Sequence, residues 1–153
     1  MPTRNHFLDK ADWSALIPHQ GAMCLLDSVV GWDEASIHAR SESHRRLDNP
    51  LRSDGKLRAL HLCEYGAQAM AVHGGLSARA GGGVAAPGFL VSLRAVELHL
   101  ARVDNLAGAL DVYAERLLVG AGSWHYAFRI EHCNSLLATG RAAVVVAAIG
   151  DTR

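Results

Sequence analysis

Glu64 is the residue most out of keeping with its surroundings. Leu60, Leu62, Cys63, Ala67, Met70 and Ala71 around it are all apolar or small. A carboxyl in such a stretch is expected to be partly desolvated, and burial raises a carboxyl pKa toward that of a neutral acid near pH 7. An acid of that kind can hand a proton to a leaving group. His61 lies one turn before it and Gln68 one turn after, and at ~100° per residue the three fall within ~60° of one another on a helix. A polar stripe inside an apolar helix reads as a site; the alternative is a helix edge that reaches solvent, with Glu64 simply exposed. His19 is the second candidate. It sits in Ile17-Pro18-His19-Gln20-Gly21, between a proline that fixes the backbone and a glycine that frees it. Histidine is the side chain best suited to remove a proton at neutral pH, although a loop histidine bonded to a carbonyl is the plainer alternative. His44, His73, His99, His125 and His132 have no context that lifts them above structural or surface roles, and solvent exposure explains the three in strand or strand-edge positions. Cys63 is expected to point away from Glu64 into the core.

Other chemistries find little support. Gly81-Gly82-Gly83 lacks the preceding strand and following helix that a phosphate-binding loop needs. There is no Gly-x-Ser-x-Gly elbow and no histidine pair at zinc spacing on a helix.

The elements that must position these residues follow from patterning. Asp12 to Ile17 reads as a short amphipathic lead-in capped by Asp12 and stopped by Pro18. Met23 to Trp32 reads as a strand with Ser36 to Ser41 as its hairpin partner. Glu42 to Lys56 is polar, holds Asn49-Pro50 and Asp54-Gly55, and is expected to be a long loop. From Leu57 to about Ala78 the chain is proline-free and rich in Ala, Leu and Met, which predicts one long helix ending at the triple glycine. Four strands are then predicted, from Phe89 to His99, Gly108 to Val119, Ser123 to Glu131 and Leu136 to Ile149. Trp124, Tyr126, Phe128 and Ile130 alternate with His125, Ala127, Arg129 and Glu131, the period-two pattern of a half-buried strand. So apolar a helix should be wrapped by the sheet, giving an α+β domain. Val- and Ala-rich edge strands, with Ala142 to Ala148 as the example, are expected to invite a second copy.

Length and composition bound the rest. The 153 residues are room for one domain, with an ordered core expected over about residues 12–148, and 50% hydrophobic residues suit a packed chain. Lys+Arg and Asp+Glu are both 15, so no basic field attracts nucleic acid or anionic lipid, and near-zero charge hints at self-association. The first residues lack the pattern of a signal peptide, and the longest apolar run, Ala142 to Ile149, is too short to span a bilayer. Cys24, Cys63 and Cys133 form neither a metal pair nor a disulfide framework, and read as buried thiols in a reducing cytoplasm.

Two motifs carry a resemblance. Leu16-Ile17-Pro18-His19-Gln20-Gly21-Ala22-Met23-Cys24-Leu25-Leu26-Asp27 is similar to the "PH...LLD" segment of bacterial 3-hydroxyacyl-acyl-carrier-protein dehydratases, and Cys63 to Met70 to their "E-x-x-AQ" helix. Asn49-Pro50-Leu51 and Glu64 to Gly74 resemble more closely the dehydratase-like proteins of aryl polyene clusters. The resemblance covers roughly residues 12 to 148. It implies a hotdog fold, an antiparallel sheet of five to six strands around one long central helix, working as a homodimer or as a heterodimer with another hotdog chain. It also implies elimination of water from a 3-hydroxyacyl thioester borne on acyl carrier protein or coenzyme A. Glu64 is carried over as the acid; Gln68 would orient it, and no metal or organic cofactor is implied. Backbone N–H groups near the helix start would polarise the thioester carbonyl. The loop before the helix, Asn49 to Lys56, lacks the histidine that typical relatives place there. His19 is then the favoured base and His61 the second choice. A hotdog thioesterase using Glu64 to activate water, or a non-catalytic subunit pairing with an active homologue, are the alternatives.

Overall fold

The computed structural model describes residues 7–83, 88–120 and 122–146. A two-residue strand, β1 (Leu8–Asp9), leads into a single helical turn, α1 (Lys10–Trp13). The cap residue is Asp9, not Asp12. Asp12 is the third helical residue, and its carboxylate accepts the Asp9 N–H at 3.1 Å. A carboxylate at that position reaches back to the cap by its own geometry, so the helix starts earlier than the apolar pattern suggests.

The predicted strand from Met23 begins five residues later, as β2 (Ser28–Trp32), paired antiparallel with β3 (Ser36–Ser41). Gly21–Met23 is instead a 3₁₀ turn. The backbone groups of Met23 and Leu25 bond the Gln68 side chain, and a side-chain partner leaves them unavailable to a ladder. Residues 42–56 form the expected loop, with one 3₁₀ turn at Ser43–Arg45 and a tight turn through Asp54 and Gly55, whose φ values are 53° and 70°. The long helix begins as a 3₁₀ turn at Ala59–His61 and continues as α2 (Leu62–Ala80) into the glycines. Then come β4 (Gly88–Leu98), β5 (Leu110–Gly120), β6 (Ser123–His132) and β7 (Ser135–Val146). Cys133 and Asn134 turn β6 into β7 with φ of 48° and 64°, the left-handed pair that matches strand twist in a two-residue hairpin.

All seven strands make one antiparallel sheet in the order β1-β2-β3-β5-β6-β7-β4, and α2 packs on β3, β5, β6 and β7. The count exceeds the expected five to six through the short β1. One expectation is overturned. β7 is interior, paired with β6 on one side and β4 on the other, so among the described residues the long free edge is β4. Residues 147–148 of the predicted edge lie outside the described residues.

Helix and sheet approach closely at Phe128. Its ring lies between Gly66 on α2 and Gly140 on β7, where an added Cβ would come within 2.6 Å and 2.5 Å of ring atoms. Gly66→Ala therefore forces the ring or the helix to move, and should lower stability by about 1–3 kcal/mol. A fall in the denaturation midpoint at unchanged m-value checks this.

His73 of α2 was given no role by the sequence, yet it is completely buried. It recurs eight residues after Tyr65 and four after Ala69, on the helix's buried face. Its Nε2 lies 2.8 Å from the Asp33 carbonyl oxygen, which can only accept, so Nδ1 is the acceptor for the Tyr126 hydroxyl at 2.8 Å. Arg116 Nη2 faces the same Nδ1 at 3.4 Å. Burial, aided by that guanidinium, holds the ring below the ordinary histidine range, and burial does the same for His44. Both rings stay neutral in the fold while the unfolded chain takes up protons below about pH 6.5. The stability they confer is complete above that value and is lost as pH falls through the window beneath it. Thermal midpoints should fall as pH drops below about 6.5, and His73→Gln should flatten that slope.

Candidate active site

Glu64 stands in the first turn of α2, exposed in the isolated chain rather than desolvated as the sequence suggested. The core takes Leu62 and Tyr65 on either side of it. Alternation of buried and exposed positions at a helix start therefore turns the carboxyl outward, onto a cavity of about 390 Å³. Leu60, His61, Cys63, Glu64 and Ala67 form one wall, and Leu90, Leu93 and Val96 of the free edge strand β4 form the other. Glu64 and His61 thus share an otherwise mostly apolar hollow, able to hold an aliphatic chain with a carboxyl and an imidazole at its rim. Cys63, half-buried and packed against the core as expected, lines this cavity too rather than pointing away from it. Neighbouring helix residues ~100° apart can both face a hollow this wide at the sheet margin. Of the other thiols Cys24 is buried, and Cys133, at the exposed hairpin, departs from the expectation of buried cysteines.

His19 is not among the residues lining that cavity. It is half-buried between two 3₁₀ turns, Ser14–Leu16 and Gly21–Met23, and its Nδ1 is enclosed with no hydrogen-bond partner among the described residues. An enclosed ring nitrogen left without a partner is costly within one chain.

Gln68 does not orient Glu64. Its side chain is fully buried and points the other way, with Nε2 donating to the Met23 carbonyl at 2.5 Å and Oε1 accepting the Leu25 N–H at 2.8 Å. The expected stripe splits because the helix's polar positions meet two different neighbours, a cavity at Glu64 and an irregular backbone at Gln68.

Sequence reasoning also missed a buried hydrogen-bond network that joins the motifs. The Ser41 hydroxyl donates to the Leu25 carbonyl at 2.5 Å and lies 2.8 Å from the Ser43 hydroxyl. Ser43 in turn meets the Tyr65 hydroxyl at 2.7 Å, and Asn49 Nδ2 donates to that hydroxyl at 3.1 Å and to the Ser43 carbonyl at 2.9 Å. Ser41, Ser43, Asn49 and Tyr65 are all almost completely buried. Burial in low dielectric pushes the Tyr65 hydroxyl above its usual range, so it stays a neutral donor and acceptor. Much of what Asn49-Pro50-Leu51 and Glu64-Tyr65-Gly66-Ala67-Gln68 encode is therefore this clamp, with Glu64 the member left facing free space. The signal was there in Tyr65, three residues before Gln68 on one helix face, but not in its partners Asn49 and Ser43, 16 and 22 residues away.

A larger hollow of about 1040 Å³ spans the sheet from β2 to β4 and does not include Glu64. His38 there is paired with Asp111 at 2.7 Å and stacked on Tyr113, and Arg129 lies over the same ring and reaches Glu131 at 3.0 Å. That hollow's histidine is thus committed to an aspartate, whereas in the smaller cavity neither the Glu64 nor the His61 side chain has a hydrogen-bond or ion-pair partner among the described residues, which makes that cavity the better candidate for chemistry.

Comparison with known proteins agrees with this choice of fold and family. Residues 11–152 match the ApeP-like family, described as ApeP dehydratase. No curated protein sequence matches significantly. Among solved structures, the chain is similar to one from the dehydratase heterocomplex ApeI:P of Xenorhabdus doucetiae, with TM-score 0.79 and 23% identity over 89% of this chain and 91% of that one. A thioesterase from Haemophilus influenzae aligns over 100% of both chains at 13% identity and TM-score 0.67. A hypothetical thioesterase from Streptococcus pneumoniae, solved with coenzyme A, aligns at 11% identity and TM-score 0.62 over 91% of this chain and 97% of that one. The structural likenesses establish the hotdog fold and no more. The match over nearly the whole chain establishes the family: this chain belongs to the ApeP-like dehydratases, the hotdog dehydratases of aryl polyene biosynthesis.

Proposed function

We propose that the chain removes water from a 3-hydroxyacyl thioester, carried on acyl carrier protein or coenzyme A, to leave the trans-2-enoyl thioester. The C2–H and C3–O bonds break and the C2–C3 double bond forms. His19 takes the C2 proton, and Glu64 gives its proton to the departing 3-hydroxyl, which leaves as water. Backbone N–H groups at the start of α2 polarise the thioester carbonyl, where the helix dipole favours developing negative charge. The observation that carries this reading is the Glu64 carboxyl on a mostly apolar cavity in a chain of a dehydratase family.

The working unit is a pair of hotdog chains. β4 is an eleven-residue strand with one side unpaired, and Leu60, Leu90 and Val91 beside the cavity are 61%, 49% and 59% exposed. A long open edge next to exposed aliphatic side chains is the kind of surface a second chain covers. Covering it would also withdraw Glu64 from bulk water and close the cavity around a bound acyl chain. That the similar solved dehydratase is a heterocomplex favours a partner of the same fold but different sequence. The unpartnered Nδ1 of His19 favours a ring whose environment is completed outside this chain.

His61 is the alternative base, because it shares the Glu64 cavity. From the same helix face as Glu64, however, it is poorly placed to reach the opposite side of a substrate.

The test is to purify the chain with its hotdog partner and supply a 3-hydroxyacyl thioester. Light scattering should show a dimer or larger assembly, and absorbance should show enoyl formation with no free thiol. Thiol release would make it a thioesterase. Neither reaction, in the assembled complex, would make it a non-catalytic subunit.

A further inference from the structure

We propose that Gln68 is a positioning residue for His19, acting through the backbone of Met23 and Leu25 and not through Glu64; this rests on the reading of His19 as the base. The side chain is completely buried, and its amide serves two backbone groups at once, donating at 2.5 Å to the Met23 carbonyl and accepting at 2.8 Å from the Leu25 N–H. The path from that clamp back to His19 is short and closed on itself. The Met23 N–H donates to the Gln20 carbonyl at 3.3 Å and the Cys24 N–H to the Gly21 carbonyl at 3.1 Å, a turn made possible by Gly21 at φ 59°. On the far side of His19, Gln20 Nε2 donates to the Ile17 carbonyl at 3.4 Å.

A second pin holds the other end of the loop. Leu16 packs so closely on α2 at Gly75 that a Cβ there would lie 2.8 Å from the Leu16 Cβ. Gly75 is seven residues beyond Gln68, which on a helix is nearly the same face, about 20° round and roughly 10 Å along the axis. Residues 16–25 therefore run along one stripe of α2, pinned at both ends, with His19 between the pins. Nothing among the described residues bonds the enclosed Nδ1, so the ring's placement depends on the backbone that carries it. An error of about 1 Å in a reacting group can cost ~10²-fold in rate.

A neutral amide satisfies both backbone groups here whatever the pH. A carboxylate at this position could still accept the Leu25 N–H but would set its lone pairs against the Met23 carbonyl. Gln68→Glu in the assembled complex should lower kcat about 10- to 100-fold with KM changed less than about threefold, while far-UV circular dichroism stays native. In a His19→Ala background the same substitution should cost less than about twofold, because the group it positions is gone. In a Glu64→Gln background it should keep its full cost. Equal losses with and without His19, or a loss that vanishes only when Glu64 is replaced, would overturn the proposal. If His19→Ala by itself leaves the rate unchanged, the base assignment fails first, and that outcome is read from the single variant alone. Should Gln68→Glu not fold, Gly75→Ala, which displaces Leu16 at the other pin, carries the same cycle, with a smaller loss that must again disappear without His19.

Discussion

Glu64→Gln is expected to lower the rate of dehydration by about 10²-fold or more while leaving the folded chain intact. Glutamine keeps the size and polarity of the side chain and removes the proton that the leaving hydroxyl needs. A loss of that size is roughly 2.7 kcal/mol of transition-state stabilisation. Glu64 makes no hydrogen bond or ion pair among those found between described residues, and it is exposed in the isolated chain. Substitutions at such positions usually shift stability by no more than about 0.5 kcal/mol. The two readouts should therefore separate cleanly, with enoyl formation falling in a steady-state assay and the denaturation midpoint unmoved. Wild-type turnover in the variant would remove Glu64 from the chemistry.

For His19→Ala the expected cost is about 10²–10⁴-fold in kcat, the range for a positioned general base, with His61→Ala costing much less. The comparison is demanding because position in the single chain favours the other histidine. His61 lines the Glu64 cavity and His19 does not. What favours His19 is its fixed loop and an enclosed nitrogen without a partner. His61 sits at the exposed helix start, where its loss removes side-chain contact with the cavity and should show mainly in KM. A larger kcat loss for His61→Ala than for His19→Ala would reverse the assignment and make both proton-transfer groups members of one helix turn.

The order of the elements could be read from the sequence because it rests on local physics. Period-two alternation marks β6, with Tyr126, Phe128 and Ile130 all buried, and a proline-free run of strong helix formers marks α2. Ser36–Ser41 came out with the expected bounds for the same reason. Glu64 could be picked out as anomalous because a carboxyl among apolar neighbours is a local contradiction. Its exposure could not, since a helical pattern shows that faces differ but not which neighbour each face meets. The same limit explains Gln68, one turn away on the stripe, whose amide is claimed by Met23 and Leu25 some 45 residues back in the chain. His73 sat at buried helical spacing, yet only the approach of Tyr126 and Asp33 made a buried imidazole tolerable. Strand order was likewise beyond the sequence. Ala142 to Val145 are as suited to an edge as to an interior, and the choice fell to β4, which returns after the helix to pair outside β7. Residue types and spacing by themselves determined the helix, the hairpins, the family motifs and Glu64 as an anomalous carboxyl. The tertiary structure alone decided which side chains face the cavity, which become clamps and which strand stays open, because those depend on contacts between segments far apart in the chain.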